Sequence, residues 1–289
     1  MEAERAWIVG CGDVGRRLAQ ALQAEGLSIM GWVRQPESAA RLAAGGIPAQ
    51  ALDLDETALP PPPATVYWLA APPERGREDP RLARTLTAWR AAGVAPARLL
   101  LLSTSAVYGD CAGRWIEEDE PPHPGTDRGH RRWHAEQQAL AYAGASGCAL
   151  LRLRVPGIYG PGRLPVARLR RGDPVLRPEE AGYSNRIQVE DLVGILQRAG
   201  RAAAPGSVYH AVDDEPSSMS DYFNRCADLL GLPRPPALSR AEARVRLSPE
   251  LMSYLEESRR LSNRRLKAEL GYRLRYPGLG QGLPACLPA

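Results

Sequence analysis

Lysine is almost absent from the sequence, since Lys267 is the only one and arginine supplies the rest of the 37 basic residues. Any binding or catalytic motif that needs a lysine before Lys267 is therefore excluded. The formal net charge is only +4, and no basic stripe alternates with aromatic residues. The composition thus gives no reason to expect nucleic acid as a partner.

Paired cysteines and long apolar runs are also missing. None of the five cysteines forms a C-x-x-C pair, and the histidines do not combine with them at metal-ligand spacing. These absences argue against a disulfide framework and a zinc site. No apolar run approaches the ~20 residues that span a bilayer, and the run Ala6–Val9 is too short for a signal peptide. We expect a cytoplasmic protein with no membrane partner.

Strand and helix patterns alternate over roughly the first 155 residues, which predicts parallel strands joined by helical crossovers. The predicted strands are Ala6–Gly10, Ser28–Val33, Ala49–Leu54, Val66–Ala70, Arg98–Ser103 and Ala149–Val155. The predicted helices are Asp13–Glu25, Pro36–Ala44, Arg81–Ala92 and His134–Ala145, the last starting nearer Thr126. Near-continuous apolar strands favour a sheet covered on both faces. The predicted fold class is a Rossmann-type doubly wound α/β sheet.

After Gly157 the pattern loosens and glycine and proline become frequent. We predict a dinucleotide-binding domain over residues 1–156 and a smaller substrate-binding lobe over 157–289, interleaved with the last sheet strands. The elements predicted in this lobe are strands Asn185–Val189 and Val208–Ala211 and helices Glu190–Arg201, Ser220–Leu230 and Pro249–Leu261.

A G-x-G-x-x-G motif lies between the first strand and the first helix. Gly10 would make the tight turn, Gly12 would let the backbone approach a pyrophosphate, and Gly15 would let the helix pack on the strand. The amides of Asp13 and Val14, in the first helical turn, would hold the phosphate charge. This context predicts binding of NAD(H) or NADP(H).

The second strand ends at Arg34, where NAD enzymes usually carry an acid that binds the ribose diol. An arginine can instead pair with a 2′-phosphate, which favours NADP(H) and leaves NAD(H) possible. Alternatively, Arg34 only covers the adenine ring. Asp53 is a candidate for the adenine amino group, and Ala70 and Ala71 are predicted to contact the cofactor after the fourth strand.

The chain resembles the extended short-chain dehydrogenase/reductase superfamily, in its NAD-dependent epimerase/dehydratase family. The stretches that carry the resemblance are Gly10–Gly15, Ser103–Gly109, Arg154–Gly162, Asn185–Asp191 and Ser262–Pro277. The resemblance implies a catalytic hydroxyl at Thr104, with Ser105 beside it, and places Pro156 along the nicotinamide.

The family's Tyr-x-x-x-Lys pair is replaced here. Arg128 stands at the tyrosine position and Arg132 at the lysine position. Arg132 could still hold the nicotinamide ribose, but a guanidinium is not a proton donor of adjustable pKa. Three alternatives for the proton remain open: Tyr108 takes the acid role, His130 takes it, or Arg128 clamps an anionic substrate while Thr104 or water handles the proton.

The stretch before residues 186–189 also departs from the nucleotide-sugar enzymes of the family. Ser184 stands where their phosphate-binding arginine is usual, and Arg186 occupies the usual aromatic position. A UDP-sugar is therefore less expected as substrate. We predict an NAD(P)-dependent oxidoreductase or epimerase-like enzyme for a small oxygenated substrate. The alternative is a non-enzymatic redox-sensing or regulatory protein on the same fold, and a homodimer is possible by resemblance.

Overall fold

A computed structural model of the protein describes residues 4–287. The strands are β1 Arg5–Val9, β2 Ser28–Val33, β3 Ala49–Ala51, β4 Thr65–Trp68, β5 Arg98–Thr104, β6 Trp115–Ile116, β7 Ala149–Val155, β8 Gly157–Tyr159, β9 Val175–Leu176, β10 Tyr183–Ser184, β11 Arg186–Gln188, β12 Val208–His210, β13 Ser217–Ser218, β14 Ala237–Leu238 and β15 Arg260–Leu261. The α-helices are α1 Asp13–Ala24, α2 Pro36–Ala44, α3 Pro80–Ala91, α4 Asp127–Ser146, α5 Val166–Arg170, α6 Val189–Ala202, α7 Met219–Leu230, α8 Arg240–Arg246, α9 Pro249–Leu255, α10 Arg264–Leu270 and α11 Leu279–Gly282.

Seven strands form one parallel sheet in the order β12-β7-β5-β4-β1-β2-β3. The chain therefore winds outwards in one direction from β1 to β3 and in the other direction from β4 to β12. This arrangement confirms the predicted Rossmann-type fold. The topological switch lies between β1 and β4, where a crevice opens at the carboxyl ends of the strands.

Both faces of the sheet are covered, as the apolar strands predict. In β4, Tyr67 packs in the cluster that contains the buried face of α1 and α6. Its neighbours Val66 and Trp68 point the other way, into the cluster that contains α3 and α4. Because successive side chains alternate across a sheet, each of the five strands β7, β5, β4, β1 and β2 contributes to two separate cores.

The second half of the chain supplies both a sheet strand and smaller pairings. β12 joins the large sheet beside β7, whereas β8 pairs with β11 and β6 pairs with β15. The division at residues 156 and 157 stays a prediction. Within residues 4–287, no helix is long and apolar enough to cross a membrane.

The predicted helix Pro249–Leu261 is wrong beyond Leu255, where α9 ends. The chain then turns, and Arg260–Leu261 pairs in parallel with Trp115–Ile116. Apolar spacing alone could not reveal this, because the strand's hydrogen-bonding partner lies more than a hundred residues earlier in the chain.

A buried carboxylate ties α4 to the sheet. Glu136 has no exposed surface. It accepts hydrogen bonds from Arg154 Nη2 at 2.8 Å, Arg154 Nε at 3.1 Å and Ser103 Oγ at 2.6 Å. Arg152 Nη1 lies 3.4 Å from the same carboxylate. The two guanidinium groups compensate a negative charge that would otherwise be very costly to bury.

The network continues to the C-terminal part of the chain. Arg154 Nη1 donates to Tyr108 Oη at 2.6 Å, and the Tyr108 hydroxyl lies 2.5 Å from His210 Nε2. His210 Nδ1 lies 2.9 Å from the carbonyl oxygen of Ser262. The carbonyl can only accept, so Nδ1 carries the proton and Nε2 accepts from the tyrosine. Burial lowers the pKa of His210 to about 3, so the ring stays neutral.

Glu136→Ala should destabilise the fold by about 3–5 kcal/mol, because it leaves Arg154 buried without its counter-charge. The free energy of unfolding in urea measures this loss. Asp228→Ala is the matched control, since Asp228 pairs with Arg234 on an exposed helix surface and its loss should change stability little. Equal losses in the two variants would contradict the structural role of Glu136.

Candidate functional site

The glycine loop connects β1 to α1 at the switch point. Gly10 has a φ of +83°, and a Cβ on it would lie 2.5 Å from the backbone N and Cα of Ala70. A Cβ on Gly15 would lie 3.0 Å from Ile8 and 3.1 Å from the Gly10 oxygen. A Cβ on Gly12, by contrast, would meet no protein atom within 4 Å. The open space above Gly12 fits a pyrophosphate lying against the backbone.

The first turn of α1 has free amides for such a ligand. Gly12 is the N-cap and offers no side chain to cap the helix, so the amides of Asp13 and Val14 have no intrahelical acceptors. The Asp13 carboxylate itself is occupied, since Arg17 Nε donates to it at 3.0 Å and Arg163 Nη1 at 2.9 Å. Asp13 therefore links α1 to the segment after β8, and only its backbone is available for a phosphate.

The crevice widens beyond the glycine loop into a cleft whose walls include Arg34, Asp53, Ala70 and Ala71. Arg34 Nε donates to Asp53 Oδ2 at 3.0 Å. The sequence singled out both residues, but their pairing appears only in the structure. Asp53 Oδ1 also accepts from the Asp55 amide. Each carboxylate oxygen keeps a further lone pair, and the assignment of Asp53 to the adenine amino group stays a prediction.

Beside α2, the cleft is lined by basic and polar side chains. Arg16, Ser38 and Arg41 line it together with Arg34 and Gly12. Arg41 Nη2 donates to Ser38 Oγ at 2.9 Å. Sequence reasoning missed Arg16, Ser38 and Arg41, although their positions in the helices that follow β1 and β2 could have identified them.

Arg132, in α4, contacts a residue that lines the crevice. Its Nη1 donates to the Ala70 carbonyl at 3.1 Å. Burial lowers the pKa of the guanidinium to about 10, so it remains charged at neutral pH. A cation is therefore retained where the family carries lysine.

A second pocket lies at the same carboxyl edge of the sheet, and the structure brings Thr104, Ser105, Arg128 and Pro156 together in its wall. Thr104 ends β5, and its Oγ1 accepts from the Ala106 amide at 3.3 Å. None of the described hydrogen bonds uses the Thr104 hydroxyl proton, so it is available to a ligand. Arg128 lies one helical turn before Arg132, which puts both guanidinium groups on the same side of α4.

Residues from the C-terminal part form the opposite wall of this pocket. Arg128 Nη2 donates to Glu257 Oε2 at 3.0 Å, and its guanidinium carbon lies 3.7 Å from the centre of the Tyr254 ring. Arg259 Nη2 donates to the same carboxylate oxygen at 3.0 Å. The sequence prediction missed Tyr254, Glu257 and Arg259, since it treated residues 249–261 as a single helix.

Tyr108 lies outside this pocket. It is 2% exposed, and its hydroxyl is bound by Arg154 and His210. Burial raises its pKa to about 12. This placement does not support the predicted catalytic role of Tyr108. His130 is not among the residues that line the pocket either. No cluster of three or more metal-ligating side chains occurs in the described part of the chain.

Comparison with known proteins places this geometry in context. The sequence model of the NAD dependent epimerase/dehydratase family matches residues 7–170. A conserved protein of unknown function from Silicibacter pomeroyi DSS is 34% identical, with a TM-score of 0.84 and coverage of 98% of each chain. MoeE5, solved in complex with UDP-glucose and NAD, is 25% identical and has a TM-score of 0.77. The match covers 97% of this chain and 96% of the MoeE5 chain.

A UDP-glucose 4-epimerase from Thermotoga maritima, solved with UDP-glucose, shares the fold at 16% identity. Its TM-score is 0.77, with 98% of this chain and 97% of that chain covered. No curated protein sequence matches the chain significantly.

Two glycine substitutions should separate folding from ligand binding. Gly10→Ala should destabilise the protein strongly, because its Cβ would collide with the Ala70 backbone at a positive φ. Gly12→Ala should fold normally but bind a dinucleotide at least about tenfold more weakly, because its Cβ occupies the space left for the pyrophosphate. Thermal unfolding and calorimetric titration measure the two effects. Unchanged dinucleotide affinity in Gly12→Ala would contradict this assignment.

Proposed function

We infer that this chain, which belongs to the NAD-dependent epimerase/dehydratase family, is an NAD(P)-dependent oxidoreductase or epimerase-like enzyme acting on a small oxygenated substrate. The observation that carries the proposal is that two sites lie at one edge of the sheet. The glycine-loop crevice lies at the carboxyl ends of β1 and β4, and the pocket with Thr104 and Pro156 lies at the carboxyl ends of β5 and β7. A dinucleotide in the crevice would therefore end beside a pocket for a small molecule.

The residues of the crevice fit a dinucleotide. Gly12 has free space above its backbone, and the amides of Asp13 and Val14 would hold the pyrophosphate. Arg132 would hold the nicotinamide ribose from the lysine position. When bound, the nicotinamide supplies the hydride acceptor or donor. The complex of MoeE5 with NAD supports this use of the crevice.

We further propose a preference for NADP(H). The end of β2 carries Arg34 instead of a carboxylate, and Arg16, Ser38 and Arg41 line the same side of the cleft. A 2′-phosphate would add negative charge to a cleft lined by these three arginines, of which Arg34 also pairs with Asp53. NAD(H) remains the alternative, and it is the cofactor in the complexes of MoeE5.

Thr104 is the proposed catalytic hydroxyl. Its oxygen accepts from Ala106 and its proton is free, so the hydroxyl can donate to a substrate oxygen whose charge changes during hydride transfer. Arg128 cannot replace the family's tyrosine as a proton donor, because its guanidinium stays charged. Its pairing with Glu257 instead supports a role in shaping and charging the pocket.

Titration calorimetry with NADP+, NADPH, NAD+ and NADH tests the cofactor proposal. We expect NADPH to bind at least about tenfold more tightly than NADH, a difference of about 1.4 kcal/mol. Arg34→Glu should abolish this preference, because it places a carboxylate against the 2′-phosphate. Arg246→Glu, on the exposed surface of α8, controls for the change in net charge.

Binding of none of the four nucleotides would refute the proposal. Strong discrimination between oxidised and reduced forms, with no turnover, would favour the redox-sensing alternative.

Thr104→Ala should reduce turnover of a carbonyl substrate by about 10²–10³-fold, because one preorganised hydrogen-bond donor to the reacting oxygen is lost. Cofactor affinity should not change. Thr104→Ser keeps the hydroxyl and should retain most of the activity. The rate of NAD(P)H absorbance change at 340 nm is the assay, and wild-type turnover in Thr104→Ala would remove this residue from the mechanism.

A further inference from the structure

Three arginine side chains are almost fully buried, and one of them forms no ion pair with the described residues. Arg154, Arg186 and Arg259 are 2%, 5% and 8% exposed. Arg154 pairs with Glu136 and Arg259 pairs with Glu257. Among the ion pairs of residues 4–287, none involves Arg186. Buried charges in proteins are normally paired. An anionic ligand could therefore provide the partner that the Arg186 guanidinium does not have within the described chain.

The guanidinium of Arg186 is held firmly in place. Its carbon lies 4.1 Å from the centre of the Tyr222 ring, and Nη2 donates to Ser184 Oγ at 3.2 Å and to the Ser218 carbonyl at 3.4 Å. These contacts orient the group, but they supply only neutral acceptors. The stacking and the two hydrogen bonds therefore leave the positive charge uncompensated.

Two donors of Arg186 have no hydrogen-bond partner among the described residues. Nε is buried without a hydrogen-bond partner, and none of the described hydrogen bonds uses Nη1. A Cβ on Gly157 would lie only 3.0 Å from Nη1. Gly157 is exposed and lines the pocket with Arg186, so the missing side chain keeps access to Nη1 open.

The pocket as a whole carries excess positive charge. Its wall contains three arginines, Arg128, Arg186 and Arg259, and one acid, Glu257, so the balance of charged residues is 3 − 1 = +2. Burial raises the pKa of the nearby Asp213 to about 8, and the described ion pairs do not include a contact between this carboxyl and Arg186. A cleft of this kind attracts anions.

The pocket also contains one unused acceptor. Glu257 Oε2 is bound by Arg128 and Arg259, but Oε1 is buried without a partner. The two arginines already compensate the charge of this carboxylate. Its free oxygen can therefore accept a hydrogen bond from a hydroxyl group without repelling a bound anion.

We propose that the pocket binds a small hydroxylated oxyanion, with its carboxylate or phosphate on Arg186 Nη1 and a hydroxyl on Glu257 Oε1. This substrate class rests on the proposed function, because the pocket lies at the same edge of the sheet as the cofactor crevice. In the pairing of β8 with β11, Arg186 lies opposite Gly157. Gly157 directly follows Pro156 in the chain. The anion is thus bound next to the end of the pocket that faces the nicotinamide.

Three related probes test the charge requirement: glycerate carries a carboxylate, glycerol 3-phosphate a phosphate, and glycerol neither. Each is titrated by NMR into the protein at constant ionic strength, with and without saturating cofactor. At least one anion should bind about tenfold or more tightly than glycerol. The tighter of the two identifies the oxyanion. If neither anion binds more tightly than glycerol, the proposal is overturned.

Arg186→Gln should reduce the anion's affinity to that of glycerol while leaving cofactor affinity unchanged. Arg186→Lys keeps the charge and should recover part of the preference. Arg177→Gln, an exposed arginine outside the pocket, should behave as wild type. Without ligand, Arg186→Gln should keep or raise the thermal midpoint, because an uncompensated buried charge is removed. If Arg186→Gln still prefers the anion over glycerol, the site is refuted. If the variant has a lowered thermal midpoint and loses both anion binding and cofactor binding, Arg186 has a structural role instead.

Propanoate, which has no hydroxyl, tests the second contact and should bind at least about threefold more weakly than glycerate. Equal affinities would remove Glu257 from the site. Failure of the proposed function remains distinguishable, because it is seen as absent nucleotide binding in wild-type protein, whereas the anion titrations are also run without cofactor.

Discussion

The close approach of Gly10 to the backbone of Ala70 is the contact on which the remaining site geometry depends. These two residues follow the adjacent strands β1 and β4, at the point where the winding of the sheet reverses. Because no side chain separates them, the crevice between the two strand ends begins at backbone level. Three features lie at this crevice: the first amides of α1, the Ala70 carbonyl that Arg132 binds, and the cleft beside Arg34.

Arginine replaces lysine throughout this fold, and the replacement has chemical consequences. A guanidinium is charged at any physiological pH and presents several donors in one plane. It can hold a ribose or an anion from position 132 or 186, but it cannot lower a neighbour's pKa and then give up its own proton as a buried lysine can. The chain thus keeps a cation at position 132 but, with Lys267 as its only lysine, has no Tyr-x-x-x-Lys motif.

The buried arginines show how the same side chain serves two purposes. Arg154 is surrounded by Glu136, Tyr108 and Glu118, so that its charge and its donors are satisfied within the protein. Arg186 has its orientation fixed by Tyr222 and Ser184, but its charge is not compensated. The second leaves a charge without an ion pair at the edge of a pocket, where we propose that it binds an anion.

The local features of the fold could be predicted from the sequence because they depend on neighbours in the chain. The bounds of β2, α2 and β7 match the predicted Ser28–Val33, Pro36–Ala44 and Ala149–Val155. Apolar periodicity and turn residues are sufficient for such elements. The glycine spacing likewise identified the loop at residues 10–15, although the approach of Gly10 to the Ala70 backbone joins residues that are far apart in the chain.

The sequence by itself determined the Rossmann-type sheet, the dinucleotide loop and the absence of a tyrosine–lysine pair. Only the tertiary structure decided that Arg34 pairs with Asp53, that Tyr108 faces a buried network, and that Glu257 and Arg259 close the pocket around Arg128. The physical reason is range. Periodicity and glycine placement act within a few residues, whereas hydrogen bonding and charge compensation join groups that are distant in the chain and become neighbours only once the chain has folded.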